Sequence, residues 1–469
     1  MEKLQSDKRK IRFRTALLPT VLALAWPTML ENLMGTAVQY VDTAMVGSLG
    51  TSATAAVGAT TTVNWLVNST ISAFGVGFLA YISQARGAGK QEKAREAAAQ
   101  SVLAVLVVGL VFTALTLSLS ARVPGWMRVD PAIRTLAGRY FFVLYLPTLF
   151  SAARIIFGTV LRASGDTKTP MRVGVGVNLL NVVGNFLLIY SPRTIRIFGL
   201  VLPMWGAGWG VLGAAAASAA SLAFGGVMIA RALWRHPEIS PKGRSIRPNG
   251  AILRPCVKVA LPNMLQRFGT SLGYVVFASM INSLGEMSTA AHTIANTVES
   301  AFYIPGYGMM AAAATLTGNA IGAKNRQMQR DLAVVILTCE VCLMIVTGGL
   351  LFLFAPNMVR LFSRDAAVIA LGAAGLRMVA CTEPCFGCSI VIEGMLQGAG
   401  RTLMPFVFNM IGMWGVRIVG TFVCTQVLGF GLRAAWGCMI GHNLLLFLMY
   451  ALYYASGRWN PLRAGQEKE

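Results

Sequence analysis

The strongest constraint on the fold is an internal repeat, in which similar segments recur at a constant separation of 235 residues. The segment 24–30 (LAWPTML) matches 259–265 (VALPNML). The segment 161–170 (LRASGDTKTP) matches 396–405 (LQGAGRTLMP). Because chance rarely keeps one register over roughly 150 residues, we infer a duplicated architecture of two similar halves.

The composition places this architecture in a membrane. Charged residues make up 12% of the 469, about half the share typical of a soluble globule, and hydrophobic residues make up 55%. Apolar stretches of about 20 residues recur, which predicts an all-α membrane protein with twelve transmembrane helices in two six-helix lobes. The predicted spans are 17–43, 54–83, 97–121, 132–157, 170–190, 207–230, 257–281, 290–318, 332–356, 367–393, 405–428 and 434–456. Membrane proteins built of two like halves are mostly transporters whose substrates cross where the halves meet.

The net charge of +22 indicates membrane orientation rather than nucleic-acid binding. Of the 40 Lys and Arg residues, 27 fall on one side of the predicted spans and ten on the other. The positive-inside rule predicts cytoplasmic termini in a multi-pass cell-membrane protein, which we expect in a prokaryotic inner membrane. The predicted parts are a basic N-terminal tail (1–16), an N-lobe (17–230), a basic linker (231–256), a C-lobe (257–456) and a C-terminal tail (457–469).

The sequence contains no motif for enzyme chemistry or for a cofactor. All eight cysteines lie between Cys256 and Cys438. Cys339 and Cys342 have a metal-like spacing, but they lie in an apolar helix without a histidine cluster, so we expect small buried thiols. The chain has no P-loop, which leaves ATP-driven transport unsupported.

Polar side chains at bilayer depth are costly, so each marks either an ion or substrate path or a structural pair. Glu31 and Asp42 are 11 residues apart in span 1, which puts them within about 20° of one helix face. They form either a protonatable or cation-binding edge, or two carboxylates that pair with arginine or lie near a span end. Pro27 can act as a hinge, because proline weakens the helical hydrogen bonding.

Further polar stripes occupy spans 2, 5, 7 and 8. The asparagines of span 5 share one face, where they either ligate a cation or hydrogen-bond to neighbouring helices. The stripes comprise Asn64 and Asn68 in span 2, Asn178, Asn181 and Asn185 in span 5, Gln266 in span 7, and His292, Asn296 and Glu299 in span 8. The repeat aligns Glu31 with Gln266 and Asn64 with Glu299, which predicts a central cavity lined by polar residues of both halves.

Two positions of the second half have competing interpretations. Arg417 in span 11 needs a partner in the membrane, and the candidates are Glu393, Glu299 and Glu383, with structural pairing as the favoured role. His292 is either a packed, hydrogen-bonded histidine or a proton-transfer group that works with Glu299.

Several motifs together resemble the multidrug and toxic compound extrusion (MATE) family over residues 15–456. Their order, spacing and duplication make the combination specific, although no single motif is. The motifs are Trp26-Pro27 with 41–47 (VDTAMVG) in span 1, 87–89 (GAG) and 321–323 (IGA) after spans 2 and 8, and 161–167 (LRASGDT) with 396–402 (LQGAGRT) after spans 4 and 10.

The resemblance implies a secondary antiporter that exports organic cations or drugs in exchange for H+ or Na+ by alternating access. Its implied partners are small cationic amphiphiles and membrane lipid, with no cofactor and no nucleic acid. One chain contains both lobes, so we expect a functional monomer.

The resemblance also implies an ion site in the N-lobe, with Na+ as the only metal expected there. Asp42, Asn181, Asn185 and Ser218 match that site, but Asn185 stands where the family pattern has an aspartate. Many members also carry a glutamate in span 7, where this chain has Thr270. Glu299 is our geometric candidate to replace that glutamate.

A lipid-linked oligosaccharide flippase of the same superfamily is the alternative function. Such a flippase needs a basic cavity for pyrophosphate. Six carboxylates lie within the predicted spans, whereas only three arginines (Arg154, Arg267 and Arg417) belong to neither side of the membrane in the charge count, and this balance favours cationic substrates.

Overall fold

The computed structural model describes residues 2–127, 129–197 and 200–463, and helices form most of this part of the chain. The first half contains α1 (Glu2–Gly47), α2 (Thr51–Gly87), α3 (Gln91–Leu119), α4 (Val123–Trp126), α5 (Pro131–Tyr145), α6 (Thr148–Ala163), α7 (Lys168–Leu188), β1 (Arg193–Ile197), β2 (Leu200–Met204) and α8 (Val211–Arg235). The second half contains α9 (Gly250–Asn282), α10 (Glu286–Gly322), α11 (Arg326–Arg360), α12 (Ala366–Ala380), α13 (Glu383–Gly398), α14 (Leu403–Met410), α15 (Val419–Phe422) and α16 (Leu432–Ser456).

The internal repeat of the sequence is also a repeat of structure. Helices α2 and α10 begin and end 235 residues apart, at Thr51–Gly87 and Glu286–Gly322. The same separation relates the first residues of α3 and α11, of α5 and α12, of α6 and α13, and of α7 and α14. Two repeated helical lobes are therefore confirmed.

Eight helices of the described chain are long and apolar enough to cross a membrane, and the number rises to ten when each bent pair counts as one span. Helices α9 and α10 do not pass this test of composition, but they are the repeat counterparts of α1 and α2, which do. They complete the order of twelve helical segments expected from the sequence.

The fourth and tenth predicted spans are not continuous helices, and this corrects the prediction. Helices α5 and α6 meet at an angle of 48°, and α12 and α13 meet at 54°. Pro147 immediately precedes α6, and Pro384 lies in the first turn of α13. Proline has no backbone N–H to continue the preceding helix, so both spans break at these residues.

Two further features depart from regular α-helix within this mostly helical fold. An antiparallel hairpin of β1 and β2 lies between α7 and α8, where an all-α fold leaves a loop. The eleventh span changes to π winding at Ile411–Ile418 and again at Val423–Val427. A π segment inside an α-helix often lies at a functional site, and this one contains Arg417.

The two lobes meet closely at one end of the bundle through a symmetric helix crossing. A Cβ atom on Gly87 of α2 would overlap the carbonyl oxygen of Asn319 in α10, and one on Gly322 would overlap the carbonyl oxygen of Gln84. The two contacts are repeat equivalents of one another. The side chain of Gln84 also donates a hydrogen bond to the Gly398 carbonyl at 2.9 Å. This end of the bundle is therefore closed.

Candidate ion and substrate site

A cavity of about 770 Å³ lies mainly within the first lobe, and many of the predicted site residues line it. Ile304 and Tyr307 of α10 are its contributions from the second lobe. The predicted residues on its wall are Glu31, Asp42, Asn64, Asn68, Asn178, Asn181, Asn185 and Ser218. Tyr140, Tyr145 and Arg154 also line it, and none of these three is a site residue predicted from the sequence.

The Asp42 carboxylate is held by two amides of α7. Asn185 Nδ2 donates to Asp42 Oδ1 at 2.5 Å. With its nitrogen toward the carboxylate, the Asn181 amide donates to both Asp42 oxygens at 2.8 and 3.0 Å, and its oxygen accepts from Ser218 Oγ at 2.9 Å. Helices α1, α7 and α8 are thus joined at one point. Asn181 and Asn185 are 6% and 1% exposed, whereas Asp42 is half-buried at the cavity wall.

This arrangement offers only oxygen ligands to a cation. Carboxylate, amide and hydroxyl oxygens suit hard cations such as Na+, and a carboxylate can instead take a proton. Asn185 Oδ1 is buried and has no hydrogen-bond partner among the described residues. Because an amide can rotate, the same side chains can present N–H groups to a charged carboxylate or oxygens to a bound cation.

Glu31 lies on the same cavity but is paired with an arginine. Arg162 Nη2 donates to Glu31 Oε2 at 2.8 Å, and both side chains are mostly buried. Arginine pairing was one of the two interpretations left open by the sequence. Arg162 falls outside the predicted spans, but it lies in the last turn of α6, where it pairs with Glu31.

Pro27 lies within α1 and is buried. Proline cannot donate to the carbonyl four residues earlier, which is that of Ala23. The Thr167 hydroxyl, immediately before α7, contacts this carbonyl oxygen at 3.5 Å. In the second lobe, the repeat counterpart Thr402 donates to the Val259 carbonyl at 2.7 Å, near Pro262. The proline-containing segment of α1 is therefore linked to the start of α7, the helix that carries the asparagines.

The predicted polar residues of the second lobe form separate clusters instead of lining the large cavity. Glu393 accepts hydrogen bonds from Gln266 Nε2 at 2.9 Å and from Tyr450 OH at 3.0 Å. Gln397 Nε2 donates to the same carboxylate at 3.1 Å. Among the residues lining the cavity there is no Gln266, Glu299 or Glu393, so the prediction of polar walls from both halves does not describe this cavity.

Arg417 is not paired with any of its predicted partners. It is 4% exposed, and none of the ion pairs in the described part of the chain includes it. Its guanidinium lies over the rings of Phe277 and Tyr274, at 4.3 and 4.9 Å from their centroids. Cation–π contacts, rather than a carboxylate, offset part of the free-energy cost of burying this charge.

The three polar residues predicted in span 8, which are His292, Asn296 and Glu299, lie in different environments. His292 Nδ1 accepts a hydrogen bond from Trp436 Nε1 at 3.1 Å, which matches the packed-histidine interpretation. Asn296 is exposed, and Glu299 is 9% exposed.

Glu340 and Glu383 are fully buried, and their carboxylate oxygens have no hydrogen-bond partner within the described residues. Their position inside predicted spans was the only sequence signal for these two acids.

These features define a multi-pass membrane transporter with two repeated helical lobes and a polar cavity. The MatE family model matches residues 27–187 and 262–423, two segments that begin at the separation of the internal repeat. The chain therefore belongs to the MatE family, the multidrug and toxic compound extrusion transporters.

Similar proteins agree with this assignment over nearly the whole chain. A probable multidrug resistance protein NorM of Thermotoga maritima is 26% identical, over 94% of this chain and 92% of that protein. The multidrug resistance protein PmpM of Pseudomonas aeruginosa is 26% identical, over 87% of this chain and 84% of its own. A crystal structure of MATE in complex with MaD3S superposes with a TM-score of 0.87 at 22% identity, and covers 95% of this chain and 97% of that one.

Proposed function

We propose that this MatE-family transporter is an antiporter that exports organic cations or drugs in exchange for H+ or Na+. The observation that carries the proposal is the Asp42 carboxylate, which borders the large cavity and is bonded to the amides of α7. The multidrug-resistance names of its relatives support the substrate class. The basic linker and tail support cytoplasmic termini, and a complete pair of lobes in one chain supports a functional monomer.

In this proposal the substrate and the coupling ion compete for one negative charge. While Asp42 is charged, the cavity favours a cationic amphiphile, whose apolar part packs against Tyr140, Tyr145 and Tyr307. Binding of H+ or Na+ neutralises Asp42 and removes this attraction. The amides of Asn181 and Asn185 then turn their oxygens toward the ion, which changes the hydrogen bonds that join α1, α7 and α8.

The conformational step follows from where these helices lie. Helix α1 packs against α10 of the other lobe, where Gly308 lies against Met29. A change in α1, with Pro27 as its hinge and Thr167 as its contact to α7, therefore reaches the lobe interface. The cavity changes sides when the crossing at Gly87 and Gly322 separates and the opposite ends of the lobes approach one another.

The second lobe has a proposed supporting role. Glu299, Glu340 and Glu383 are buried acids of α10, α11 and α13, and we keep Glu299 as the candidate for secondary coupling. The flippase alternative is less well supported. Its pyrophosphate substrate needs several free cations, whereas Arg154 is the one arginine among the described cavity-lining residues, beside Glu31 and Asp42.

The test is efflux from proteoliposomes of purified protein loaded with ethidium, under a pH gradient and separately under a sodium gradient. We expect one gradient to drive efflux, and Asp42→Asn to lower that efflux at least tenfold. Glu286→Gln is the matched control, because it removes an exposed acid at the start of α10. Undiminished ion-driven efflux by Asp42→Asn removes Asp42 from the mechanism, and efflux of lipid-linked sugar instead of ethidium supports the flippase.

A further inference from the structure

A second cavity, an open groove of about 440 Å³, lies on the outside of the first lobe between α3, α6 and α8. Its walls are almost entirely apolar, and include Val105, Leu106, Phe150, Phe157 and Val227. It is separate from the transport cavity and shares no lining residue with it. An apolar groove that faces the bilayer is a site for a hydrocarbon chain rather than for a water-soluble ligand.

The floor of this groove results from a close helix contact. A Cβ atom on Gly226 of α8 would overlap the Phe150 carbonyl oxygen of α6, so the two helices touch here without intervening side chains. Larger side chains stand on both sides, among them the half-exposed Val227 and the partly exposed Leu106. The groove is therefore built by the helix packing, with α3 as its third wall.

One end of the groove is basic and aromatic. Arg231 lines it, and Arg235 follows one helical turn later in α8. Both side chains are exposed, and none of the ion pairs between described residues involves either of them. Trp234 packs against Phe157 at the same end, with ring centroids 6.1 Å apart. Tryptophan next to arginine at the end of a membrane helix is typical of the headgroup level of a bilayer.

We propose that this groove binds an anionic phospholipid, with one acyl chain between α3, α6 and α8 and the phosphate on Arg231 and Arg235. The apolar walls account for an acyl chain. The guanidinium groups of Arg231 and Arg235, which form no ion pair with the described residues, account for a negative headgroup. A zwitterionic lipid fits the walls but brings an ammonium group beside the arginines. The charge of the headgroup is therefore the specific prediction.

The experiment is native mass spectrometry of the full-length protein, released from detergent with phosphatidylglycerol or phosphatidylcholine added at equal concentration. We expect phosphatidylglycerol to remain bound at least fivefold more than phosphatidylcholine. Each neutralised arginine should lower this binding about fivefold, as expected for one basic residue at a membrane surface. The variants are Arg231→Gln and Arg235→Gln, with Arg254→Gln of α9 as an exposed arginine outside the groove.

A third variant tests the acyl-chain part independently of charge. Ala230→Phe places a ring in the groove and keeps both arginines, so it should also lower phosphatidylglycerol binding. Thermal unfolding in lipid-free detergent serves as the folding control for each variant. Equal retention of the two lipids, or equal effects of Arg231→Gln and Arg254→Gln, overturns the proposal. The same holds if Ala230→Phe binds lipid as the unaltered protein does. None of these outcomes depends on transport, so failure of this proposal can be distinguished from failure of the proposed function.

Discussion

The guanidinium of Arg417 lies 4.3 Å from the centre of the Phe277 ring, and Phe277 is the repeat counterpart of Asp42. The first and fifth spans of each lobe therefore touch at the same place with opposite chemistry. The N-lobe joins Asp42 to Asn185, an acid to an amide. The C-lobe joins an aromatic ring to a permanent cation. Phe277 holds the position where the other lobe has its acid, and Arg417 places a cation fixed to the chain against that ring.

We therefore expect Arg417 to stabilise the C-lobe rather than to exchange an ion. Arg417→Gln removes the cation–π contacts with Phe277 and Tyr274, worth about 2 kcal/mol for a desolvated pair. The thermal unfolding midpoint in detergent should fall, whereas the ion dependence of efflux by the remaining folded protein should stay the same. Arg433→Gln, an exposed arginine of α16, is the control and should leave the midpoint unchanged. Loss of ion dependence in folded Arg417→Gln contradicts this role.

The Ser218 hydroxyl should tune the ion site without being essential to it. Ser218→Ala removes the hydrogen bond to Asn181 but leaves Asp42 and both amides. A single neutral hydrogen bond contributes about 1 kcal/mol, so the ion concentration for half-maximal efflux should rise about fivefold. Ser221→Ala is a close control, because Ser221 also borders the cavity but bonds to Ala217 of its own helix. Equal effects of the two variants would show that Ser218 has no special role.

The large features of this fold were predictable because they depend on patterns that extend over many residues. Apolar runs long enough to cross a membrane occur many times along the chain, and several pairs of segments show the same repeat separation. The proximity of Asp42, Asn181, Asn185 and Ser218 was expected only from the family resemblance. In the structure these four side chains are in hydrogen-bond contact, whereas their role in ion coupling remains a proposal.

The features that the sequence did not predict depend on single residues and on the packing around them. Pro147 breaks the fourth span, but Pro27 lies within the long helix α1 without ending it, so a proline alone does not decide the outcome. The predicted spans do not include Arg162, because a charge count cannot detect its carboxylate partner Glu31 in another helix. The separate clusters of the second lobe follow from three-dimensional packing, which a repeat alignment does not contain.

The side chains of Glu31 and Arg162 should be energetically coupled, because they form a mostly buried ion pair. Glu31→Gln leaves the mostly buried Arg162 guanidinium without its carboxylate, and Arg162→Gln leaves the mostly buried Glu31 carboxylate without its guanidinium. In a double-mutant cycle the coupling energy should be about 1–2 kcal/mol, within the range for contacting charged residues. The measurement is the apparent free energy of unfolding of the four proteins in detergent. A coupling energy near zero means that Glu31 is held by something other than Arg162.

The helix crossing at Gly87 and Gly322 should control access to the cavity. Either glycine, when replaced by valine, places a side chain where the facing backbone carbonyl lies, so the closed end must separate. We expect Gly87→Val and Gly322→Val each to lower efflux at least tenfold. The distance between spin labels at Lys93 and Ala323, both exposed near this end, should increase in a background where the eight native cysteines are serine.

The symmetry of this crossing gives the prediction its control. Because the two contacts are repeat equivalents, the two valine variants should shift the label distance in the same direction and by similar amounts. Gly349→Val substitutes a helical glycine that has no neighbour within 4 Å of an added Cβ, so it should leave both distance and efflux unchanged. If Gly87→Val keeps the short distance and full efflux, the lobes do not need this backbone contact to close. The gate then lies elsewhere on the interface between α2 and α10.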